Sequence, residues 1–226
     1  MKTKHWAFIL IALLVFAPFS TWIDLSISNV FYRDGFYLQD YPFFTFFHQY
    51  GEWPALIVGG LALISFTCSF ILSSFRSTRQ ISLYLVLVLV VGALLLVNST
   101  LKNHWGRPRP KQTENYGGNT PFRPFYSPDF HHNSHKAHDN HKSFPSGHAA
   151  MGFYFYALVV IGRKRRQKAL FFSGIALTLL LGGALSLTRI AQGGHYFSDT
   201  LFSALIMIAT AEGLSYLIPI PKQDKP

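Results

Sequence analysis

Three short polar stretches hold the residues of this chain that could do chemistry. "KNHWGRPRP" at 102–110 gathers Lys102, His104, Arg107 and Arg109 behind a long apolar run. "SFPSGHAA" at 143–150 holds Ser146, Gly147 and His148, and "TRIAQGGHYFSD" at 188–199 holds Arg189, His195 and Asp199. An arginine offers a planar fork that matches phosphoryl oxygens two at a time, and a lysine adds a compact point charge. Gly147, near the start of a helix, would let backbone N–H groups approach an anion where the helix dipole favours it, and Ser146 adds a hydroxyl donor. Together these residues suit the highly charged transition state of phosphoryl transfer, which preorganised positive charge stabilises. Gly193 and Gly194 give similar clearance just before His195. If the chain is helical from there, Asp199 at i+4 lies one turn on and on the same face. A carboxylate so placed can fix one tautomer of the imidazole and steady its cation, leaving the other nitrogen free to attack phosphorus. His148 then remains to serve the leaving group.

The elements that must position these residues are membrane spans. Half of the 226 residues are hydrophobic and only 13% are charged, against roughly 25% in soluble domains. Apolar runs at 6–23, 53–74, 81–101, 147–162, 169–187 and 197–218 approach the ~20 residues that cross a bilayer, the fourth falling short. The expected fold is all-α and integral to the membrane. It has six transmembrane helices in one bundle over residues 1–226, a polar loop at 111–143, and the active site at the extracytoplasmic ends. The first run, behind Lys2 and Lys4, lacks a convincing small-x-small cleavage site and reads as an uncleaved helix. Cys68, the lone cysteine, allows no intrachain disulfide.

Orientation follows from the loops. "RSTRQ" at 76–80 and "RKRRQK" at 163–168, the latter with five basic residues in six positions, belong on the cytoplasmic side. An even count of spans then puts both termini inside. The loop after the first span, with Asp24, Asp34, Asp40 and Glu52, faces outward. Residues 102–148 carry seven Lys or Arg against three acids, yet the count of spans places them outside as well. Basic residues held against the charge rule suggest a bound anion. Loops after odd-numbered spans share one face, so all three polar motifs can meet there.

The pattern Lys-x6-Arg-Pro at 102–110, Pro-Ser-Gly-His at 145–148 and Arg-x5-His-x3-Asp at 189–199 resembles the tripartite signature of the type 2 phosphatidic acid phosphatase superfamily. The resemblance implies a metal-independent lipid phosphatase with no cofactor. In it, His195 would form a phosphohistidine, Asp199 support it and His148 protonate the leaving oxygen, while Lys102, Arg109, Ser146, Gly147 and Arg189 hold the phosphate. Thr188 stands where the family usually has serine, and the hydroxyl survives. "HWGRPRP" and "QGGHYFSD" are similar to the bacterial lipid A phosphatase branch. That likeness implies a phosphorylated membrane lipid as partner, no nucleic acid, and a site on the periplasmic side of a bacterial inner membrane. Undecaprenyl pyrophosphate, phosphatidylglycerophosphate and phosphatidate stay open as substrates, as do phosphotransfer to another lipid and the oligomeric state.

Other readings weigh against these. His195 and Asp199 could ligate a metal, but crowding cations disfavour one. A small transporter would carry its charges near the bilayer midplane on broken helices, whereas these sit at span ends on one face. Arg107 reads as a surface or headgroup contact and Trp105 as an interfacial anchor. "HHNSHKAHDNH" at 131–141, with five histidines, reads as a disordered polar loop, with metal binding, a lid or a pH-responsive contact as alternatives.

Overall fold

The computed structural model describes residues 3–130 and 141–221, so the histidine-rich stretch lies outside the described residues except for His141. Regular structure among the described residues is helical, with no strand. The order is α1 (Thr3–Val30), α2 (Pro42–Tyr50), α3 (Trp53–Cys68), α4 (Arg79–Leu87), α5 (Lys102–His104), α6 (Gly147–Phe153), α7 (Tyr156–Arg165), α8 (Lys168–Ala191) and α9 (Phe197–Leu217). Among the described residues, five stretches are long and apolar enough to cross a membrane: Ile11–Val30, Pro42–Cys68, Ser73–His104, Lys168–Ala191 and Phe197–Leu217. Their outer faces expose Leu14, Trp22, Leu179, Leu180 and Leu217 by 67% or more. A side chain of that kind is stable on a surface bathed in acyl chains.

Where the sequence suggests a sixth span at 147–162, two shorter helices stand instead. α6 and α7 are separated by Tyr154 and Phe155, and neither alone reaches the length of a span. Both pack along α8. The approach is close because a Cβ on Gly152 would lie 2.6 Å from the backbone of Gly182, the small-residue contact by which helices in lipid gain packing.

Two further boundaries differ from those expected. α1 runs on to Val30 and carries Asp24 inside it, fully buried, rather than in an outer loop. The charge is tolerated because it is paired within the protein. The second span begins at Pro42, broken only at Gly51 and Glu52 between α2 and α3, so His48 and Glu52 are fixed on a helical stretch.

Between α4 and α5 the chain stays helical but widens, with five-residue turns across Val88–Leu101. Asn98 Nδ2 donates to Ala93 O and Thr100 Oγ1 to Leu95 O, each five residues back. Wide turns shift the phase of every side chain after them, and Lys102 follows directly. Val88, Ala93 and Val97 from this stretch meet Ala150, Met151 and Tyr154 of the α6 region and Met207 and Ala211 of α9 in the main apolar core.

Candidate active site

The distant motifs meet in one cavity of about 310 Å³ at the helix ends. Lys102 comes from α5, Arg109 and Lys111 from the following loop, His148 from the first turn of α6, Arg189 from the last turn of α8, and His195 from the turn into α9. Gln39, Asp40, Thr45 and His48 complete the wall on the α1–α2 side, with Gln192 and Gly194 beside Arg189. Five of the eight residues singled out from sequence therefore line one space.

Positive charge dominates it. Burial pushes Arg109 below its ordinary value, and burial, with Arg109 and Arg189 behind it, does the same to Lys111. Cations held close together and partly dry are relieved by an anion. The Nε atoms of Arg109 and Arg189 are buried without a hydrogen-bond partner among the described residues. Unmet donors of that kind are costly unless a ligand accepts from them. Arg189 is steadied by Gln192 Oε1 at 2.9 Å from Nη1. Its guanidinium lies over Gly194, where a Cβ would come within 2.4 Å of Nη2; the bare backbone lets the fork pass.

His195 is 1% exposed, and burial pushes its imidazole down to about 3, so the ring is neutral at working pH. Its Nδ1 lies 2.5 Å from the backbone oxygen of Ser143, which can only accept, so Nδ1 carries the proton and Nε2 keeps its lone pair. The Asp199 carboxylate stands 3.5 Å from Nδ1. The i+4 spacing thus brings the carboxylate near, while the orienting hydrogen bond goes to a carbonyl from another motif. Asp199 is itself held by the Ser143 hydroxyl at 2.5 Å, the Tyr196 N–H at 2.8 Å and Arg107 Nη1 at 2.5 Å.

Arg107 is the residue that the sequence most misrepresents. Instead of meeting headgroups it is 1% exposed. Its Nη2 donates to Asp24 Oδ2 at 2.8 Å, its Nε to the Arg123 carbonyl at 2.9 Å, and its Nη1 to Asp199 and to Ser198 Oγ at 2.8 Å. Burial opposes the charge, yet Asp199 and Asp24 outweigh it and hold the guanidinium above the ordinary arginine value. The ring of Tyr196 covers it at 4.4 Å and that of Phe122 at 5.6 Å. Nearby, Trp105 packs on Phe144 with centroids 4.7 Å apart and donates Nε1–H to the Phe125 carbonyl.

Ser146 and Gly147 do not line the cavity. Ser146 is fully buried and caps α6, its hydroxyl accepting from the Ala149 N–H at 3.4 Å. Gly147 faces Asn98, whose Oδ1 would lie 2.4 Å from an added Cβ. His148 turns both ring nitrogens toward acceptors, Nε2 to the His48 carbonyl at 3.1 Å and Nδ1 to Glu52 Oε1 at 3.2 Å. No cluster of three metal-ligating side chains occurs among the described residues.

The family model of the PAP2 superfamily matches residues 82–220, more than half of the chain and every residue of the three motifs. The chain belongs to the PAP2 superfamily. It is similar to a lipid A 4'-phosphatase of Francisella tularensis subsp. novicida (strain U112), 28% identical over 189 residues that cover 82% of this chain and 81% of the relative. A lipid A 4'-phosphatase of Rhizobium leguminosarum is 33% identical over 63% of this chain and 59% of its own length. One of Rhizobium etli is 35% identical over 56% and 47% respectively. No solved structure matches the chain. As a PAP2 protein with membrane-crossing helices, it is a membrane lipid phosphatase.

Proposed function

We propose that this PAP2 phosphatase removes a phosphate from the sugar headgroup of lipid A, at the periplasmic face of the inner membrane, through a phosphohistidine on His195. The observation that carries the chemistry is the cationic cavity that ends on a neutral His195, with its Nε2 lone pair free. The three relatives named for lipid A support the substrate.

The proposed reaction runs in two halves. Lys102, Arg109 and Arg189 hold the phosphate oxygens while the Nε2 lone pair of His195 forms a bond to phosphorus. The P–O bond to the sugar breaks, its electron pair stays on the sugar oxygen, and His148 supplies the proton. The imidazolium left on His195 is steadied by the Ser143 carbonyl and the Asp199 charge. In the second half a water attacks phosphorus, neutral His148 takes its proton, and the electron pair of the P–N bond returns to Nε2, releasing inorganic phosphate. The balance closes without a co-reactant other than water.

A sixth crossing is part of the proposal. Residues 147–165, taken through the bend at Tyr154, supply 19 residues, or roughly 28 Å at helical rise. α6 starts at the cavity and α8 ends there, so the "RKRRQK" turn between α7 and α8 lies at the far end. The positive-inside rule puts that turn in the cytoplasm and the cavity outside.

Phosphate release by the purified protein in detergent, from lipid A, phosphatidate, phosphatidylglycerophosphate and undecaprenyl pyrophosphate, tests this reading. Lipid A should be preferred, turnover should survive excess EDTA, and vanadate should compete with substrate. Preference for another of these lipids would overturn the substrate assignment, and loss of turnover on chelation the mechanism.

A further inference from the structure

An acid sits where it ought to do harm. Glu52 stands behind the wall of a cavity built to attract an anion, against His148, and a carboxylate so near weakens phosphate binding unless it has another task. It is held firmly in place. Gly51 beside it is buried, and a Cβ there would meet Leu185 of α8 at 2.2 Å, so the break between α2 and α3 is pinned against the helix that carries Arg189. Although the charges of Lys102 and Arg189 reach Glu52, its ion pair among the described residues is with His148, at 3.2 Å from Nδ1.

That contact orients Nδ1 of His148 as the Ser143 carbonyl orients Nδ1 of His195. His195 has one acceptor at Nδ1 and a free Nε2. His148 has an acceptor at each nitrogen, and only an imidazolium donates at both. Burial, the cation of Arg189 and the rings of His48, 5.0 Å away, and His195 all oppose a charge on that ring, so an anion beside Nδ1 is what helps it carry a proton.

We propose that Glu52 is a positioning residue for His148: its carboxylate holds the Nδ1–H, offsets the positive charge the ring bears as an acid, and directs the Nε2–H from the His48 carbonyl to the departing sugar oxygen. The assignment rests on the phosphatase reading above and deepens it. The two histidines of the cavity are thus oriented for different tasks by two different acceptors.

Glu52→Gln keeps the shape and an acceptor oxygen but removes the charge. On an alkyl phosphate lipid it should lose about 10- to 100-fold in kcat near pH 8, as expected when a general acid is poorly protonated. On a nitrophenyl phosphate of similar apolar tail, whose leaving group needs no proton, it should lose less than about 3-fold. The alkaline limb of kcat/KM on the alkyl substrate should move down by about one pH unit. KM should not rise, since a nearby anion has been removed. In a His148→Ala background, Glu52→Gln should cost nothing further. Equal losses on the two substrates, an unmoved alkaline limb, or an additive loss in the double variant would each overturn the proposal. Should Glu52→Gln unfold, Glu52→Asp serves: it keeps the charge, so its alkaline limb should stay while kcat falls, and a shifted limb would count against the assignment. Wild-type protein that releases phosphate from neither substrate would instead bring down the phosphatase reading.

Discussion

The guanidinium of Arg107 bridges two buried carboxylates, 2.8 Å from Asp24 on α1 and 2.5 Å from Asp199 on α9. Two acids around one cation leave a net negative charge in a dry place, next to the ring that would carry positive charge in the phosphoryl-enzyme. Removing one member of such a pair strands the other, at about 3–5 kcal/mol. Asp24→Asn and Arg107→Lys are both expected to lower the melting temperature in detergent by several degrees. Arg107→Lys should lose the more activity, because an ammonium cannot serve Asp24, Asp199 and the Arg123 carbonyl at once. Thermal unfolding together with kcat on one lipid phosphate checks both.

Ser143 offers two separable contacts. Its backbone oxygen takes the His195 proton and its hydroxyl donates to Asp199. Ser143→Ala removes only the second, a hydrogen bond to a charged group worth about 1.5–3 kcal/mol. The variant is expected to retain the correct His195 tautomer and lose about 10-fold in kcat, while Asp199→Asn, which also disturbs Arg107, loses far more. Similar losses in the two variants would move the orienting role back from the carbonyl to the carboxylate.

The cavity was legible in the sequence because its parts are polar residues stranded at the ends of apolar runs. Lys102, Arg109, His148, Arg189 and His195 needed only a shared membrane face to be brought together, and they all line one space. What supports them was not legible. Asp24 looked like the start of a loop because an unpaired acid ends a span, and only the folded chain shows its partner 83 residues away. Glu52 occupies a two-residue break with no periodicity to mark it. The wide turns at Val88–Leu101 leave composition unchanged while altering which face each residue presents. Ser146 and Gly147, readable as an anion cradle from type alone, turn inward to the cap of α6 and to Asn98.

Burial of His195 ties stability to pH. Its value falls from 6.5 in the unfolded chain to about 3 in the fold, so below pH 6.5 the unfolded chain takes up a proton that the native state refuses. Native stability is therefore full above 6.5 and declines as pH falls toward 3. At pH 5 the loss from this one group is about 2 kcal/mol. The melting temperature of wild type in detergent is expected to drop between pH 7 and 5 by several degrees more than that of His195→Asn, which has no proton to gain. Parallel curves for the two proteins would show that the ring is not held neutral.

The orientation of the cavity can be read by labelling. Asn115 is exposed near the cavity and Lys168 is exposed at the opposite basic turn. In a Cys68→Ser background, Asn115→Cys is expected to react with a membrane-impermeant maleimide in cells whose outer membrane is permeabilised, and Lys168→Cys only after lysis. The reverse pattern would place the site in the cytoplasm.

Gly194 should behave as an active-site residue although it has no side chain. An added methyl would meet Arg189 Nη2 at 2.4 Å and Cζ at 2.8 Å. The guanidinium has little freedom to yield, since Gln192 holds it at 2.9 Å from one side and its Nε is buried. The arginine must then leave the geometry in which its fork faces the phosphate. Because that fork acts on the transferring group, the loss should fall on kcat/KM by about 10²-fold, the size seen when one preorganised donor is removed. Gly183→Ala is the control: it lies in α8, and nothing stands within 4 Å of the added carbon, so replacing a helical glycine should be neutral or slightly stabilising. Steady-state kinetics of the two variants, with vanadate inhibition as a measure of the oxyanion site, separates displacement of Arg189 from general damage. Gly194→Ala should lose vanadate affinity along with turnover while melting near the wild-type temperature. Unchanged vanadate affinity would mean that Arg189 does not hold the phosphoryl oxygens.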